Sequence, residues 1–476
     1  MIRAHTVTDV RAAEAALMAQ VPEGALMQRA AAGLAVICAR LLETVPGSRV
    51  VLLVGGGDNG GDTLVAGARL ARRGARVRAV LLSPDSVHRA GLEAMYAAGG
   101  RLLDQHQALD EISRAHLVLD GIVGIGGKPG LRPAAHGLVE AARAAEALVV
   151  AVDLPSGVDV DSGQTPQPHV AADVTVTFGT HKVCHLVDPA AGACGGVHLV
   201  DIGLEPLLPD PAVEALEDED VRRLLPTPVR QDDKYRRGVL GLVAGAARYA
   251  GASVLATSAA VRSGAGMVRV VGEPAVADRV RDAVPEAVLA EGQVQAWVAG
   301  PGMDPLAAPQ VVARLVAGEQ PVVLDAGALA AVAGTLRPDV LLTPHAGELA
   351  RLLGTTRADV EAAPLAWARR AATTLGSTVL LKGATTLVAT PQGRVRANRT
   401  GTPWLATAGS GDVLAGLAGA LLAAGLDALD AGSVAAHVHG LAGQLAATSV
   451  GAPSASDVLS ALPAALLRLR LGQSQL

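Results

Sequence analysis

The sequence predicts two α/β domains in series, each built on an open, mostly parallel sheet. Three observations carry this. Short, continuous apolar runs such as Val50–Val54, Leu117–Leu119 and Ala147–Val152 read as strands buried on both faces. Alanine-rich stretches with helical spacing separate them, giving a strand–helix alternation. The runs end in glycine or acidic residues, which gathers polar chemistry at the carboxyl ends of strands, where open α/β sheets bind ligands.

Composition bounds the class. At 476 residues there is chain enough for two or three domains. Half of the residues are hydrophobic but only 1% are aromatic, so the core must be Leu, Val and Ala, with 55 glycines for turns and close approaches. The net charge of −5 and the lack of a basic stripe argue against nucleic acid as a partner. Cys38, Cys184 and Cys194 make no paired framework or CxxC, which points to a reducing compartment and away from structural zinc. Residues 1–20 carry Asp9 and Glu14 and show no signal-peptide apolar run. The longest apolar helix expected, 413–426, is too short for a bilayer. These features predict a cytoplasmic protein with no membrane partner and small-molecule substrates, and a homo-oligomer is the expected assembly.

In chain order, residues 8–43 read as helices, with Leu34, Ile37 and Leu41 at helical spacing. The strand Val50–Val54 runs into Gly55-Gly56-Gly57-Asp58-Asn59-Gly60-Gly61-Asp62, followed by a helix to Arg73. This matches G-x-G-x-x-G, so a dinucleotide pyrophosphate site is a rival reading. Asp58 and Asp62 oppose it on charge. Strand-like 77–82 and a helix near 86–98 come next. The following strand ends in Asp120 before Gly124-Ile125-Gly126-Gly127. Another ends in Asp153 before Leu154-Pro155-Ser156-Gly157. These three strand ends can meet in one crevice. Asn59, Asp120 and Ser156 supply oxygens suited to a monovalent cation, and Asp153 is a candidate acid/base. A cap or turn role is the plainer alternative for each residue alone.

Glu205–Gln231, with five prolines and the acidic cluster 214–220, reads as the boundary: a first domain over 1–205, a linker with one short helix over 206–230, and a second domain over 231–476. In the second domain the strand 239–243 precedes a small-residue turn and a long alanine-rich helix. Later strands end at Gly300-Pro301-Gly302, at Asp325, at Thr343-Pro344-His345-Ala346-Gly347-Glu348 and at Lys382-Gly383-Ala384-Thr385-Thr386. Asp325-Ala326-Gly327 fits a turn, and Lys382 can bind phosphate as a point charge. Ala408-Gly409-Ser410-Gly411-Asp412 opens an apolar helix. Its free backbone N–H groups can converge on an anion, and a carboxylate placed there can take a proton from a hydroxyl that attacks a phosphoryl group.

The first-half stretches G-G-G-D-N-G-G-D, D-G-I-V-G-I-G-G and V-D-L-P-S-G-V-D-V-D-S-G, with Thr177-Phe178-Gly179 and Lys182, resemble the epimerase domain of NAD(P)H-hydrate repair enzymes, the YjeF-related family. The second half, through Tyr249–Ala252, Arg262–Gly266, Leu342–Glu348, Leu381–Gly383 and Ala406–Gly416, is similar to the ribokinase-like dehydratase domain of the same family. The resemblance implies a Rossmann-like three-layer domain followed by a ribokinase-like three-layer α/β domain. It implies an isomerase that interconverts the R and S hydrates of NADH and NADPH, and a lyase that dehydrates the S hydrate with ADP as co-substrate. It carries K+ onto Asn59, Asp120 and Ser156. It carries the hydrate onto Asp58, Asn59, Gly60, Gly61, Asp62, onto Gly124, Ile125, Gly126, Gly127, Lys128, Pro129, Gly130, and onto Asp153 in the first domain. In the second, the hydrate falls on Ala252, Gly302, His345 and Asp412, the nucleotide on Lys382, Gly383, Ala384, Thr385, Thr386 and Gly411, and Mg2+ near Glu348. Asp153 and Asp412 would be the catalytic residues. The chain departs from the family pattern at Asp58, usually asparagine, at Thr63, often glycine, and at Trp404. A ribokinase-like small-molecule kinase with a non-catalytic first domain is the alternative reading, and a binding or assembly role for the first domain is another.

Overall fold

The structure is a computed structural model and describes residues 1–306 and 308–472. It divides into two compact units, residues 3–212 and residues 213–476 with Met1–Ile2. The division falls inside the segment read as a linker, and the reason is local. Residues 213–215 form a strand that pairs with Val395–Asn398, and the helix Asp218–Leu224 sets Val221 into the second unit's core beside Leu216 and Leu225. Prolines there shape a packed segment rather than a loose one.

In the first unit the strands are β1 (Ile2–His5), β2 (Arg49–Val54), β3 (Arg76–Leu81), β4 (Arg101–Leu102), β5 (Leu117–Gly121), β6 (Leu148–Val152), β7 (Val174–Phe178), β8 (His181–Lys182) and β9 (Gly196–Val200). The main sheet is parallel, ordered β4-β3-β2-β5-β6-β7-β9. Alternate β2 residues serve opposite faces. Val50, Leu52 and Val54 pack with Leu34, Leu64 and Leu70, whereas Val51 and Leu53 pack with Ile112 and Leu138. Both faces are thus covered by helices, which is why these strands read as unbroken apolar runs. The chain leaves β2 toward β3 on one side and returns to β5 on the other, so the order reverses between β2 and β5.

In the second unit, β10 (Val213–Ala215), β11 (Val239–Val243), β12 (Met267–Val271), β13 (Ala296–Ala299), β14 (Val322–Leu324), β15 (Val340–Leu342), β16 (Thr378–Leu381), β17 (Thr386–Ala389) and β18 (Val395–Asn398) lie in the order β12-β11-β13-β14-β15-β16-β17-β18-β10. Only the β16–β17 and β17–β18 pairings among these are antiparallel. One face packs on the helices Ala250–Arg262, Ser410–Ala423, Ala428–Val450 and Ala455–Leu471. The long apolar helix expected at 413–426 ends at Ala423, and the longest helix is instead Ala428–Val450, buried along most of its length. Among the described residues no single helix is long and apolar enough to cross a membrane.

Small residues set the spacing of this layer. A Cβ on Gly416 would stand 2.1 Å from the Ala256 carbonyl oxygen, and one on Gly419 2.2 Å from a Val298 methyl. Helix Ser410–Ala423 therefore lies unusually close to helix Ala250–Arg262 and to the sheet, which fixes where Asp412 emerges. Gly416→Ala must push the two helices apart, a cost of about 1–3 kcal/mol. Hydrogen exchange across residues 410–423 is expected to accelerate in this variant; unchanged protection would contradict the packing account.

Candidate functional site

The first site forms where the carboxyl ends of β2, β5 and β6 lie side by side. A cleft of about 1820 Å³ opens there, lined by Asp58, Asn59 and Asp62, by the whole stretch 124–130, and by Asp153. The segment 57–62 is not a loop: helix Gly57–Arg72 begins at Gly57, so Asp58 and Asn59 sit in its first turn and Asp62 in its second. Gly60 and Gly61 do not line the cleft. They are buried behind it, where a Cβ on Gly60 would stand 2.3 Å from the Gly55 carbonyl oxygen and one on Gly61 2.7 Å from the Met27 methyl. Their part is to let the helix start against the end of β2.

Asp153 follows β6 with φ at 69°, a conformation that an L residue holds only when its surroundings fix it. Its N–H donates to the Val176 carbonyl at 2.8 Å. His185 Nδ1 accepts from the Lys182 N–H at 3.0 Å, so its Nε2 carries the proton and donates to the Asp153 carbonyl at 3.0 Å. The Asp153 carboxylate Oδ1 accepts from Lys182 Nζ at 2.5 Å and from Thr177 Oγ1 at 3.0 Å. Lys182 is 1% exposed, and its remaining donors reach Thr177 Oγ1 and the Phe178 carbonyl. A buried ammonium with three acceptors pairs with one carboxylate at the cleft floor.

Beneath that floor, Asp120 is fully buried. Its Oδ1 accepts from Ser156 Oγ at 2.6 Å and its Oδ2 from the Ser156 N–H at 2.7 Å. Among the described residues no cationic side chain pairs with it, and burial pushes its pKa up to about 6. Ser156 Oγ also lies 3.4 Å from the Val123 carbonyl oxygen, and Gly124 packs against the Asn59 amide. The three residues named from the sequence are therefore one neighbourhood of oxygen donors around an uncompensated negative charge, a set that suits a hard monocation.

The second site collects the ends of β13, β14, β15 and β16. Gly300, at the end of β13, holds φ at 126°, and a Cβ there would meet the Asp325 carbonyl oxygen at 1.7 Å. Gly302 packs on Ala252 and on the Tyr249 carbonyl. Asp325 is not merely a turn former. It is 2% exposed, and its Oδ1 accepts from Lys382 Nζ and from Thr343 Oγ1, each at 2.8 Å. The Pro344 carbonyl accepts from the Lys382 N–H, which brings His345 beside Lys382. His345 caps helix Ala346–Leu353 through Nδ1, and Glu348 Oε2 accepts from the His345 N–H at 2.8 Å and lies 3.9 Å from Lys382 Nζ. Burial alone would lower the Lys382 pKa, yet Asp325, Glu348 and Asp412 together hold it above the usual lysine range. Gly383 and Ala384 lie exposed and Thr385 half-buried on the turn before β17, where Thr386 begins.

Ala408–Asp412 completes this site. Gly409 is left-handed at φ 90°, and helix Ser410–Ala423 starts directly after it. A Cβ on Gly411 would stand 3.4 Å from Lys382 Nζ and 4.0 Å from Asp325 Oδ2. The helix N-terminus, Lys382 and Asp412 therefore converge. Burial, reinforced by Asp325 and opposed by Lys382, pushes the Asp412 pKa up to about 6. Ser410 Oγ is 3.1 Å from Nε2 of the buried His439, whose pKa burial lowers to about 4, so a neutral imidazole anchors the turn. Sequence reading missed this anchor because His439 lies 29 residues away inside an alanine-rich helix. Trp404 stands exposed just before the turn.

Fold and sites together define a two-domain enzyme class: a switch-point cleft large enough for a dinucleotide, joined in one chain to a kinase-like anion site beside a half-buried carboxyl group. Comparison with known proteins sharpens this. The family model described as YjeF-related protein N-terminus matches residues 23–184, and that described as NAD(P)H-hydrate dehydratase matches residues 240–464. A bifunctional NAD(P)H-hydrate repair enzyme from Mycobacterium leprae is 45% identical over 98% of this chain and 99% of its own. One from Mycobacterium tuberculosis is 46% identical over 89% of each. A crystal structure of the ADP/ATP-dependent NAD(P)H-hydrate dehydratase from Bacillus subtilis, co-crystallized with ATP/Mg2+, is 30% identical and aligns with a TM-score of 0.51 over 54% of this chain and 99% of that one. The chain belongs to the bifunctional NAD(P)H-hydrate repair enzymes, with a Rossmann-like first domain and a ribokinase-like second domain.

Lys182→Met removes the buried cation and leaves Asp153 unpaired. This is expected to destabilise the first domain by about 3 kcal/mol, read as a lowered urea midpoint by circular dichroism. An unchanged midpoint would contradict the ion-pair assignment.

Proposed function

We propose that this chain repairs hydrated NADH and NADPH. Its first domain, around residues 3–212, interconverts the R and S hydrates. Its second, around residues 213–472, dehydrates the S hydrate at the expense of ADP, giving NAD(P)H, AMP and phosphate. The observation that carries this reading is the meeting of Asp412, Lys382 and the N-terminus of helix Ser410–Ala423.

The chemistry follows from the leaving group. Hydroxide leaves poorly, so the hydrate's hydroxyl is first converted to a phosphate ester. Asp412 takes the hydroxyl proton as the oxygen attacks the terminal phosphoryl group of ADP. Lys382, Gly411 and the helix N-terminus steady the charge on the transferring group, while residues 383–386 hold the nucleotide. The ring nitrogen lone pair then expels phosphate, and loss of a ring proton restores the nicotinamide. Ala252, Gly302 and His345 shape the hydrate pocket. Glu348, beside Lys382, is the residue placed to organise Mg2+, which supplies charge neutralisation at the phosphates when bound. In the first domain Asp58, Asn59 and Asp62 with the stretch 124–130 hold the hydrate, and Asp153 moves the proton. Asn59, Asp120 and Ser156 are the residues that would hold K+, whose charge would offset Asp120 and fix the two loops.

A base must be ionised to work. Below a pKa of about 6, the ionised fraction of Asp412 falls tenfold per pH unit, so dehydration kcat/KM is expected to fall tenfold per unit on the acid side and to level above neutrality. Asp412→Asn is expected to lower kcat at least about a hundredfold, assayed as recovery of NADH absorbance from S hydrate with ADP and Mg2+. Full rate in this variant would sink the reading.

A further inference from the structure

The cleft of the first domain holds two buried carboxyl groups in opposite surroundings. Asp153 has a lysine, a threonine and a fixed backbone. Asp62, three residues beyond Asn59 on helix Gly57–Arg72, has none of these. It is 8% exposed, and its Oδ1 is enclosed with no hydrogen-bond partner among the described residues. None of the described cationic side chains forms an ion pair with it. Yet it lines the same cleft as Asp153. An ionised carboxylate enclosed in this way would bear the full desolvation penalty with nothing to offset it, so the neutral acid is the stable form. Burial, with Asp153, Asp58 and Glu14 adding to it and Lys182 opposing, pushes Asp62 well above the usual carboxylate range. An enclosed carboxyl group without a partner, facing the same cleft as a carboxylate paired with an ammonium, places a proton donor and a proton acceptor together.

We propose that Asp62 is a catalytic residue of the first domain, the proton donor that works opposite the Asp153 base. This rests on the epimerase reading above. The hydroxyl-bearing ring carbon of the hydrate is also bonded to the ring nitrogen. Asp62 gives its proton to that hydroxyl, and the carbon–oxygen bond breaks with its electron pair leaving as water. The nitrogen lone pair forms a carbon–nitrogen double bond, making the carbon planar. Water then adds to the opposite face, the π pair returns to nitrogen, and the surplus proton passes to Asp153. The carbon is inverted, nothing is oxidised or reduced, and the reverse direction uses the same two groups with their roles exchanged. The two side chains reach the cleft from different elements, helix Gly57–Arg72 and the end of β6, as a two-sided proton transfer needs.

Asp62→Asn is the test, because asparagine has the shape and neutrality of the protonated acid and lacks only the transferable proton. The assay follows the full chain on R hydrate with ADP and Mg2+, where NADH recovery must pass through epimerisation. The expected result is a fall of at least about a hundredfold, toward the enzyme-free rate, with dehydration of S hydrate unchanged and any loss of affinity for R hydrate far smaller than the loss of rate. Epimerisation within threefold of wild type would overturn the proposal. So would loss of affinity for R hydrate in step with rate, which would make Asp62 a binding group only. On the wild-type chain, infrared spectroscopy at the pH of the assay is expected to show a protonated carboxyl stretch; its absence would overturn the proposal whether or not the variant folds. If wild type itself fails to convert R hydrate above the enzyme-free rate, the epimerase reading fails, a result distinct from any of these.

Discussion

An aspartate buried at the end of a parallel strand, and the lysine paired with it, is the interaction on which both domains depend. Asp153 and Asp325 each follow a strand, and each offers one carboxylate oxygen to a lysine ammonium and a threonine hydroxyl. Parallel sheets flanked by helices leave their carboxyl ends as the place where polar groups can gather, but the same burial makes an unpaired charge there expensive. The lysine, the threonine and nearby backbone groups offset that desolvation. The two domains share no strand order, so the same physical problem has been met twice by the same grouping of side chains.

The pairs do different work because of what faces them. In the first domain Asp153 itself lines the cleft, and Lys182 lies behind it with every donor occupied. In the second, Asp325 is the group behind, and Lys382 is the member that reaches toward the glycine turn. The first arrangement presents a carboxylate, suited to proton transfer. The second presents an ammonium beside a helix N-terminus, suited to a phosphoryl group, with the Asp412 carboxyl close by. Glycine makes both possible by close approach: Gly60 lets a helix start against β2, and Gly416 lets helix Ser410–Ala423 sink onto its neighbour.

Much of this was legible in the sequence. Apolar runs ending in Asp120, Asp153 and the Thr343–Glu348 stretch marked the strand ends, and parallel pairing brought them together. Three things were not legible. Asp325 looked like a turn former, because its partners Thr343 and Lys382 are 18 and 57 residues away and meet it only through the order β14-β15-β16. Gly60 and Gly61 looked like ligand contacts, since glycine in a loop and glycine in a crowded helix start are spelled alike. The segment 206–230 reads as a linker with one short helix; the helix is present, but the strand before it and the packing of both were not legible, because three residues are too short to show periodicity.

The central claim is that two active sites, one proton-moving and one phosphoryl-transferring, act in succession on one damaged cofactor. Its most direct test is NADH recovery from a mixture of R and S hydrates with ADP and Mg2+. Complete recovery, with the R fraction converting at a rate that rises with enzyme concentration, is the predicted result. Rapid recovery of the S fraction alone, followed by a tail that no amount of enzyme accelerates, would contradict it.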